Sequence, residues 1–206
     1  MRVIAGKFRS RKLHAPAGME VRPTSDRMRE SLFNVVAPFT PDSIWIDAFS
    51  GSGAVGIEAL SRGARYVYFL EAEKKAVRAI RDNFDALGID SDFELLQGNA
   101  VASLHSLDAR GIECDICFLD PPYSAHGAYA QALRVLSDSA LLKESSMVIA
   151  EHDKHFDPGP SHGRLHRHRE LKQGDAVLSF YRLSALEKRD EGAGTEGAEK
   201  AAGRAT

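Results

Sequence analysis

The chain has 206 residues, of which 43% are hydrophobic, so it can bury one full-sized core and one main domain is expected. It contains no apolar run of roughly 18 residues and begins with no apolar leader, which argues against a membrane span and secretion and favours a cytoplasmic location. The net charge of -2 gives no overall indication of a nucleic-acid partner, and a monomer is expected.

The first 30 residues are basic, whereas the remainder of the chain is acidic. They contain eight Lys or Arg residues and three acidic residues, a net +5, which leaves -7 for the rest of a chain whose total is -2. A basic segment on an acidic body is typical of a localised contact with a polyanion. A solvated face without a partner is the alternative.

The N-terminal part of the chain, residues 1–42, is predicted to form a small β-rich extension packed on the core. The stretch "RVIAGKFRSRKLHAP" alternates in hydrophobicity and has a turn residue at Gly6, which predicts a β-hairpin. In "TSDRMRESLFNVV" a helix can be capped by Thr24 or Ser25, with its inward face formed by Met28, Leu32, Phe33 and Val36.

From residue 43 to 186, short apolar runs alternate with helical patterns, which predicts an α/β domain with a doubly wound, mostly parallel sheet. The predicted helices cover 54–62, 73–87, 100–109 and 127–140, and the strands are "SIWID", "YVYFLE", "FELLQ", "CDICFLD" and "SMVIAEH". Two more strands, in "GRLHRHREL" and "AVLSFYRL", flank Gly174 and Asp175 as an antiparallel hairpin, making seven. Residues 187–206, rich in Gly, Ala and charge, are predicted to be a disordered tail.

A glycine-rich loop follows the first predicted strand. In "DAFSGSGAVGIEAL", Gly51, Gly53 and Gly56 have the G-x-G-x-x-G spacing of a dinucleotide loop, which is a weak signal on its own. A nicotinamide cofactor would use these glycines and the acidic Glu71 at the end of the second strand. Two features fit that cofactor less well: three residues separate Asp47 from Gly51, and hydride transfer has no use for "DPPY" after the fourth strand.

S-adenosylmethionine fits the same residues better. The turn from Gly51 to Gly53 lets the backbone approach a ligand, Asp47 can favour an ammonium group directly or through water, and Glu71 can accept both ribose hydroxyls. Asn99 is placed to bind an adenine edge, although it could instead cap the next helix. The strand ends that carry these side chains meet at one edge of an open sheet. The predicted cofactor site also includes Phe49, Ala72, Ala100 and Asp120.

The motifs "DAFSGSGAVGIEALSRGA", "LEAEKKAVRAIRDN" and "LDPPY" resemble those of class I S-adenosylmethionine-dependent methyltransferases. With "RVIAGKFRSRKL", "RPTSDRMRESLFN" and "QGDAVLSFYRL", the chain resembles the bacterial RsmD family over roughly residues 1–183. This resemblance implies methylation of the exocyclic N2 of a guanine in 16S rRNA, within an assembled or assembling small ribosomal subunit.

The motif of Asp120, Pro121, Pro122 and Tyr123 suits methylation of a planar nitrogen. The Asp120 carboxylate and the Pro121 carbonyl can accept hydrogen bonds from an exocyclic amine, a cis or rigid Pro121-Pro122 turn can hold them, and Tyr123 can stack on the base. No metal is required. A tight turn without function is the structural alternative.

Enzymes that act on DNA bases or on protein glutamine share related motifs, so the basic arm is what favours nucleic acid. Its predicted phosphate contacts position RNA without reading sequence. The predicted RNA-binding residues are Lys7, Arg9, Arg11, Lys12, Arg22 and Thr24, together with Tyr123. A split role is predicted for "RPTSDRMRE", with Arg22 and Thr24 near the substrate and Asp26 and Arg27 partly structural.

Several chemistry-bearing residues are predicted to have no catalytic task. Cys114 and Cys117 form C-x-x-C inside an apolar strand, which favours buried thiols over redox or zinc chemistry. The histidines lack the spacing of a ligand set and are predicted to form a solvated or RNA-facing cluster, at positions His152, His155, His162, His166 and His168. The rival functions are an N-methyltransferase for DNA or another RNA, a nicotinamide-dependent oxidoreductase, and a non-enzymatic RNA-binding protein.

Overall fold

The computed structural model describes residues 1–16, 25–122 and 125–184. Its strands are β1 (Ile44–Ala48), β2 (Tyr66–Glu71), β3 (Phe93–Gln97), β4 (Cys114–Leu119), β5 (Leu142–Asp153), β6 (Ser161–His162), β7 (Leu165–Gln173) and β8 (Ala176–Leu183). Its helices are α1 (Asp26–Val36), α2 (Ala54–Ser61), α3 (Lys74–Leu87), α4 (Ala100–Ala109) and α5 (His126–Asp138), with a short 3₁₀ helix at Ala37–Phe39. The predicted tail at 187–206 lies outside the described residues.

All eight strands form one sheet in the order β3-β2-β1-β4-β5-β8-β7-β6. Strands β1 to β5 are parallel and β8, β7 and β6 are antiparallel, which confirms a mostly parallel sheet that ends in a hairpin. The hairpin turn is Gly174-Asp175 as predicted, since Gln173 pairs with Ala176. The prediction of seven strands was one short, because the two-residue β6 is too brief to leave a hydrophobic pattern.

Helices cover both faces of the sheet. Alternate residues of each central strand point to opposite faces, so that Trp45 packs under α1 and α2 while Ile46 packs under α4 and α5. Both faces are therefore apolar, which explains the continuous hydrophobic runs of β1, β2 and β4. None of the helices in the described ranges is long and apolar enough to cross a membrane.

Helix α1 starts and packs as its sequence predicts. The Ser25 hydroxyl oxygen accepts a hydrogen bond from the Met28 N–H at 3.1 Å and caps the helix. All four predicted inward residues are buried, and the ring of Phe33 stacks on Trp45 with 5.3 Å between centroids. Burial of this apolar stripe fixes α1 against the sheet.

The two ends of the N-terminal segment pair antiparallel, as in a β-hairpin, but without regular strands: the Val3 N–H donates to the Arg11 carbonyl at 2.9 Å and the Leu13 N–H to the Met1 carbonyl at 3.1 Å. Within residues 1–16 the only β-bridge joins Arg2 to Lys12, and residues 5–10 form turns and bends. Other main-chain donors of this segment are bound by α2. The Glu58 carboxylate accepts the Ile4 and Ala5 N–H groups at 2.7 and 3.0 Å, and the Ser61 carbonyl accepts the Lys7 N–H at 2.7 Å.

Arg29 is structural and does not face solvent. Its side chain is 0% exposed, donates hydrogen bonds to the Arg2 carbonyl and to Asp26 Oδ1, and places Nε 3.7 Å from Glu58 Oε2. Burial lowers the Arg29 pKa, while the charges of Glu58 and Asp26 raise it. The structural role predicted for Asp26 is thus present, but its partner is Arg29, whereas Arg27 is exposed.

The close contact at Gly6 gives a first prediction. Gly6 has φ +82°, and a Cβ there would lie 1.8 Å from the Ser61 carbonyl oxygen, whereas Gly111 has φ +69° and open space around it. We expect Gly111→Ala to lower the free energy of unfolding by about 1 kcal/mol, the cost of a left-handed backbone. We expect Gly6→Ala to lower it by roughly 3 kcal/mol, because the arm must also move away from α2.

Urea unfolding measures both costs, and hydrogen exchange at the Ile4, Ala5 and Lys7 amides reports whether the arm has detached. Equal costs for the two variants, with these amides still protected in Gly6→Ala, would contradict the tight arm contact.

Candidate active site

The carboxyl ends of the parallel strands form one edge of the sheet, where the predicted site residues meet. The chain runs outward from β1 to β2 and β3 and then returns to β4 on the other side of β1. Such a reversal opens a crevice at the carboxyl ends of an open sheet. The Asp120 N–H lies 3.4 Å from the Ala48 carbonyl oxygen, so the end of β4 is joined to the end of β1.

The three glycines of the loop have different roles. A Cβ at Gly56 would lie 2.3 Å from the Phe69 ring, so this position allows α2 to pack against β2. Gly53 has φ +75° and begins α2. A Cβ at Gly51 would meet no atom within 4 Å, which leaves space for a ligand in front of that residue. Phe49 also adopts a left-handed backbone, with φ +65°.

Asp47 is held behind the glycine loop. Its side chain is 2% exposed, and its Oδ2 accepts a hydrogen bond from the Gly56 N–H at 2.9 Å. Burial raises the pKa of Asp47 to about 7; the hydrogen bond from Gly56 opposes this shift and the charge of Glu71 adds to it. When it is ionised, this buried carboxylate is stabilised by a nearby positive charge.

Glu71 connects the end of β2 to the same loop. Its Oε2 accepts the Gly51 N–H at 2.7 Å and its Oε1 accepts the Glu73 N–H at 2.8 Å. Each carboxylate oxygen has a second lone pair, so these bonds leave capacity for hydroxyl donors. The contact of Glu71 with ribose hydroxyls stays a prediction. So does the place of Ala72 in the cofactor site; Ala72 follows Glu71 and is exposed.

Asn99 caps α4, which is the structural alternative considered for it. Its Oδ1 accepts the Ala102 N–H at 3.1 Å. Asn99 is exposed at the carboxyl end of β3 and Ala100 beside it is buried. Its predicted contact with an adenine edge stays a prediction.

The D-P-P motif follows β4 directly. Asp120 is half-buried, Pro121 is buried and Pro122 is exposed, while Tyr123 lies outside the described residues. The described residues contain no cis peptide bond, so the Pro121-Pro122 turn does not have the cis form considered for it. Pairing of Leu119 with Ala150 places the buried Glu151 and His152 next along the same edge.

Asn83 on α3 is a residue that the sequence analysis missed. It is fully buried, its Nδ2 donates to the Ser52 and His14 carbonyls at 3.0 Å each, and its Oδ1 accepts the His14 N–H at 2.7 Å. It therefore binds the N-terminal arm to the glycine loop. The available signal was a polar side chain next to Phe84 on the inward face of an amphipathic helix.

The predicted RNA contacts of the arm divide into two groups. Lys7, Arg9 and Lys12 are exposed. The Arg11 guanidinium donates to the Ala86 carbonyl at the end of α3, so Arg11 also fixes the arm in place. Arg22 and Thr24 lie outside the described residues.

The cysteines and His152 take structural positions, whereas His155, His166 and His168 are exposed. Cys114 and Cys117 are free and fully buried, and burial raises the pKa of both thiols, that of Cys114 to about 12. His152 is buried with Nε2 2.9 Å from the Ser179 hydroxyl. In the part of the chain that the structure describes, His, Cys, Asp and Glu side chains form no group of three suited to a metal ion.

The fold is that of the S-adenosylmethionine-dependent methyltransferases. The family model described as "Conserved hypothetical protein 95" matches residues 1–182. The chain belongs to that family, the RsmD family, which confirms the resemblance found in its motifs.

Relatives of known name cover nearly the whole chain. "Putative rRNA methyltransferase YlbH" of Bacillus subtilis is 33% identical over 182 residues, which are 88% of this chain and 98% of that protein. "Ribosomal RNA small subunit methyltransferase D" of Escherichia coli is 31% identical over 192 residues, 92% of this chain and 93% of that protein. A solved structure, "Putative methyltransferase yhhF from Escherichia coli", has a TM-score of 0.76 at 31% identity and covers 90% of this chain and 99% of its own.

The raised pKa of Asp47 predicts a pH-dependent stability. An aspartate titrates near pH 4 in an unfolded chain and near 7 here, so the folded protein holds this proton more tightly. The resulting stabilisation is complete below about pH 4 and is lost as pH rises to about 7, in total roughly 4 kcal/mol. We expect Asp47→Asn to gain stability relative to the wild type over that interval.

Urea unfolding at several pH values between 4 and 7.5 measures this difference for the wild type, Asp47→Asn and the control Asp90→Asn, whose side chain is exposed. Parallel pH profiles for the wild type and Asp47→Asn would show that Asp47 titrates normally.

Proposed function

We propose that this protein transfers a methyl group from S-adenosylmethionine to the exocyclic N2 of a guanine in 16S rRNA. The observation that carries the proposal is the position of the D-P-P motif: Asp120 follows β4 at the edge that holds the glycine loop, and its N–H reaches the end of β1. The relative named as a small subunit rRNA methyltransferase supports the choice of RNA.

The residues around the glycine loop fit the proposed methyl donor. When bound, S-adenosylmethionine supplies a methyl group activated by a positively charged sulfur. The open space at Gly51 admits a ligand, and the carboxylates of Asp47 and Glu71 favour one that carries positive charge. Glu71 retains lone pairs for ribose hydroxyls. The proposed site also includes Phe49, Gly53, Ala72, Asn99 and Ala100.

Asp120 and Pro121 would act on the acceptor nitrogen. The N2 lone pair of guanine is delocalised into the ring, so the amine is a poor nucleophile. Hydrogen bonds from its two N–H groups to the Asp120 carboxylate and the Pro121 carbonyl would hold it in place and favour pyramidalisation. After transfer the nitrogen is cationic and acidic, and Asp120 or water accepts its proton. In this proposal Pro122 stiffens the turn and Tyr123 stacks on the base.

The N-terminal arm would position the RNA. Lys7, Arg9 and Lys12 are exposed on a segment that α2 and α3 hold firmly, so their charges are presented at fixed places. Phosphate contacts of this kind fix the register of a substrate without reading its sequence. The proposal includes Arg22 and Thr24 in this contact. It treats the protein as a cytoplasmic monomer that acts on the small subunit as it assembles or after.

Methyl transfer from labelled S-adenosylmethionine tests the reaction. The acceptors are small ribosomal subunits, their extracted rRNA and duplex DNA, all from cells that lack the protein, followed by nucleoside analysis. We expect label as N2-methylguanosine in the subunit, in its rRNA, or in both. Label in DNA or in another nucleoside would instead identify the rival N-methyltransferase. A protein that binds a nicotinamide cofactor and not S-adenosylmethionine would be the rival oxidoreductase.

Substitution of Asp120 tests its role in this reaction. We expect Asp120→Ala to reduce kcat at least 100-fold, because both the hydrogen-bond acceptor and the proton acceptor are lost. Asp120→Asn keeps one acceptor oxygen and should lose less activity. The control Asp90→Ala removes the same charge at an exposed loop position and should match the wild type. Full activity of Asp120→Ala would refute the assignment.

A further inference from the structure

Basic and aromatic side chains gather at the end of the β7–β8 hairpin that lies away from its turn. His166 is paired directly opposite Arg182, so the two side chains share one face of the sheet. The Arg182 guanidinium carbon lies 5.9 Å from the centre of the Phe39 ring. The cluster, called here the far-edge patch, consists of Phe39, His166, His168, Arg169 and Arg182.

Contacts with one buried ring join the rest of the patch. The Arg169 guanidinium carbon lies 5.7 Å from the centre of the Phe180 ring, and the His168 ring lies 6.4 Å from it. Burial lowers the pKa of His168 first, and the charges of Arg182 and Arg169 lower it further. Both guanidinium charges therefore act on the same small region.

The two arginines of the patch differ from their strand neighbour Arg167 in their charge pairing. Among the described residues, no Asp or Glu forms a salt bridge with Arg169 or Arg182. Arg167, in the same strand, differs: its Nη1 lies 2.6 Å from Asp157 and 3.0 Å from Glu170. Within the described ranges, the positive charge of the patch is thus not neutralised by an ion pair.

Phe39 adds an apolar surface to this charge. Its side chain is 49% exposed and is the only large hydrophobic residue in the described ranges with that degree of exposure. Phe39 also lines a cleft of about 240 Å³ together with Asp42 and Asp115, and Asp115 is paired with Lys143 at 2.6 Å. The two carboxylates make this cleft less favourable for a polyanion than the contact between Phe39 and Arg182.

The patch is well separated from the candidate active site. Ala176 pairs with Asp153 at the carboxyl edge, and Arg182 lies six residues further along β8. Six residues of extended strand span roughly 20 Å. Phe39 precedes β1 and so lies at the opposite, amino edge of the sheet. The patch can act on a substrate only through binding and not on the reacting base.

We propose that the far-edge patch binds the sugar-phosphate backbone of the RNA substrate, roughly 20 Å from the methylated base. Guanidinium groups match phosphate geometry, and an exposed aromatic ring beside them suits an unpaired base or a sugar. An acidic protein surface would satisfy the charge but has less use for the exposed ring. The inference rests on the proposed function, because it assumes that the substrate is RNA.

The double variant Arg169→Ala/Arg182→Ala tests the patch. With intact small subunits as substrate, we expect KM to rise roughly tenfold while kcat stays within about twofold, since only binding is lost. For extracted small-subunit rRNA, the slope of log affinity against log salt should fall by about 1.5, the effect of two lost phosphate contacts. The charge-retaining Arg169→Lys/Arg182→Lys should restore most of both values.

The control is Arg134→Ala, which removes an exposed arginine of α5 that is paired with Asp138. It should leave KM and the salt slope unchanged. If the wild type methylates rRNA while the double variant has normal KM and normal salt slope, the patch does not bind RNA, although the proposed function stands. Weaker binding to intact subunits but normal binding to extracted rRNA would identify a protein partner and overturn the inference. Absence of any rRNA methylation by the wild type would instead refute the proposed function.

Discussion

The buried carboxylate of Glu58 is the interaction on which the arrangement of the N-terminal arm depends. It is 0% exposed and accepts hydrogen bonds from the Ile4 and Ala5 N–H groups and from Arg62 Nε, while Arg29 Nε lies 3.7 Å away. A buried carboxylate is costly unless such donors surround it. Among the described residues no group accepts a hydrogen bond from Nε or Nη1 of Arg29, so the charges of Glu58 and Asp26 offset the cost of burying this arginine. Release of the arm would therefore leave the buried charges of Glu58 and Arg29 with fewer hydrogen-bond partners.

The same arm is attached to the glycine loop from a second direction. Glu58 lies on α2, which begins at the loop, and Asn83 binds both His14 and the Ser52 carbonyl from α3. The loop is held between these two attachments. Under the proposed function, the segment that contacts RNA and the loop that contacts the methyl donor then form one rigid unit. Fixed placement of two reactants is the main source of catalysis for a reaction that needs little acid-base assistance.

The sequence predicts those features that depend on local pattern. Short-range patterns in the sequence predict the alternation of strands and helices, the Ser25 cap, the inward face of α3 and the Gly174-Asp175 turn. In the N-terminal segment, alternation indicates extended chain, and the ends of the segment do pair antiparallel, but it does not reveal the contact with Glu58, more than 50 residues away in sequence. Arg29 shows the same limit, since its i,i+3 spacing to Asp26 is also typical of an exposed ion pair.

The candidate site was predictable as a set of strand ends, but the electrostatics of its carboxylates were not. The pKa of Asp47 depends on its burial behind Gly56, which only the folded loop reveals. Under the proposed function this burial has a further consequence. A cationic ligand favours ionised Asp47, so ligand binding and loss of the Asp47 proton are linked near neutral pH. The sulfur loses its positive charge when the methyl group leaves. The carboxylates of Asp47 and Glu71, which favour the charged donor, therefore hold the neutral product less tightly.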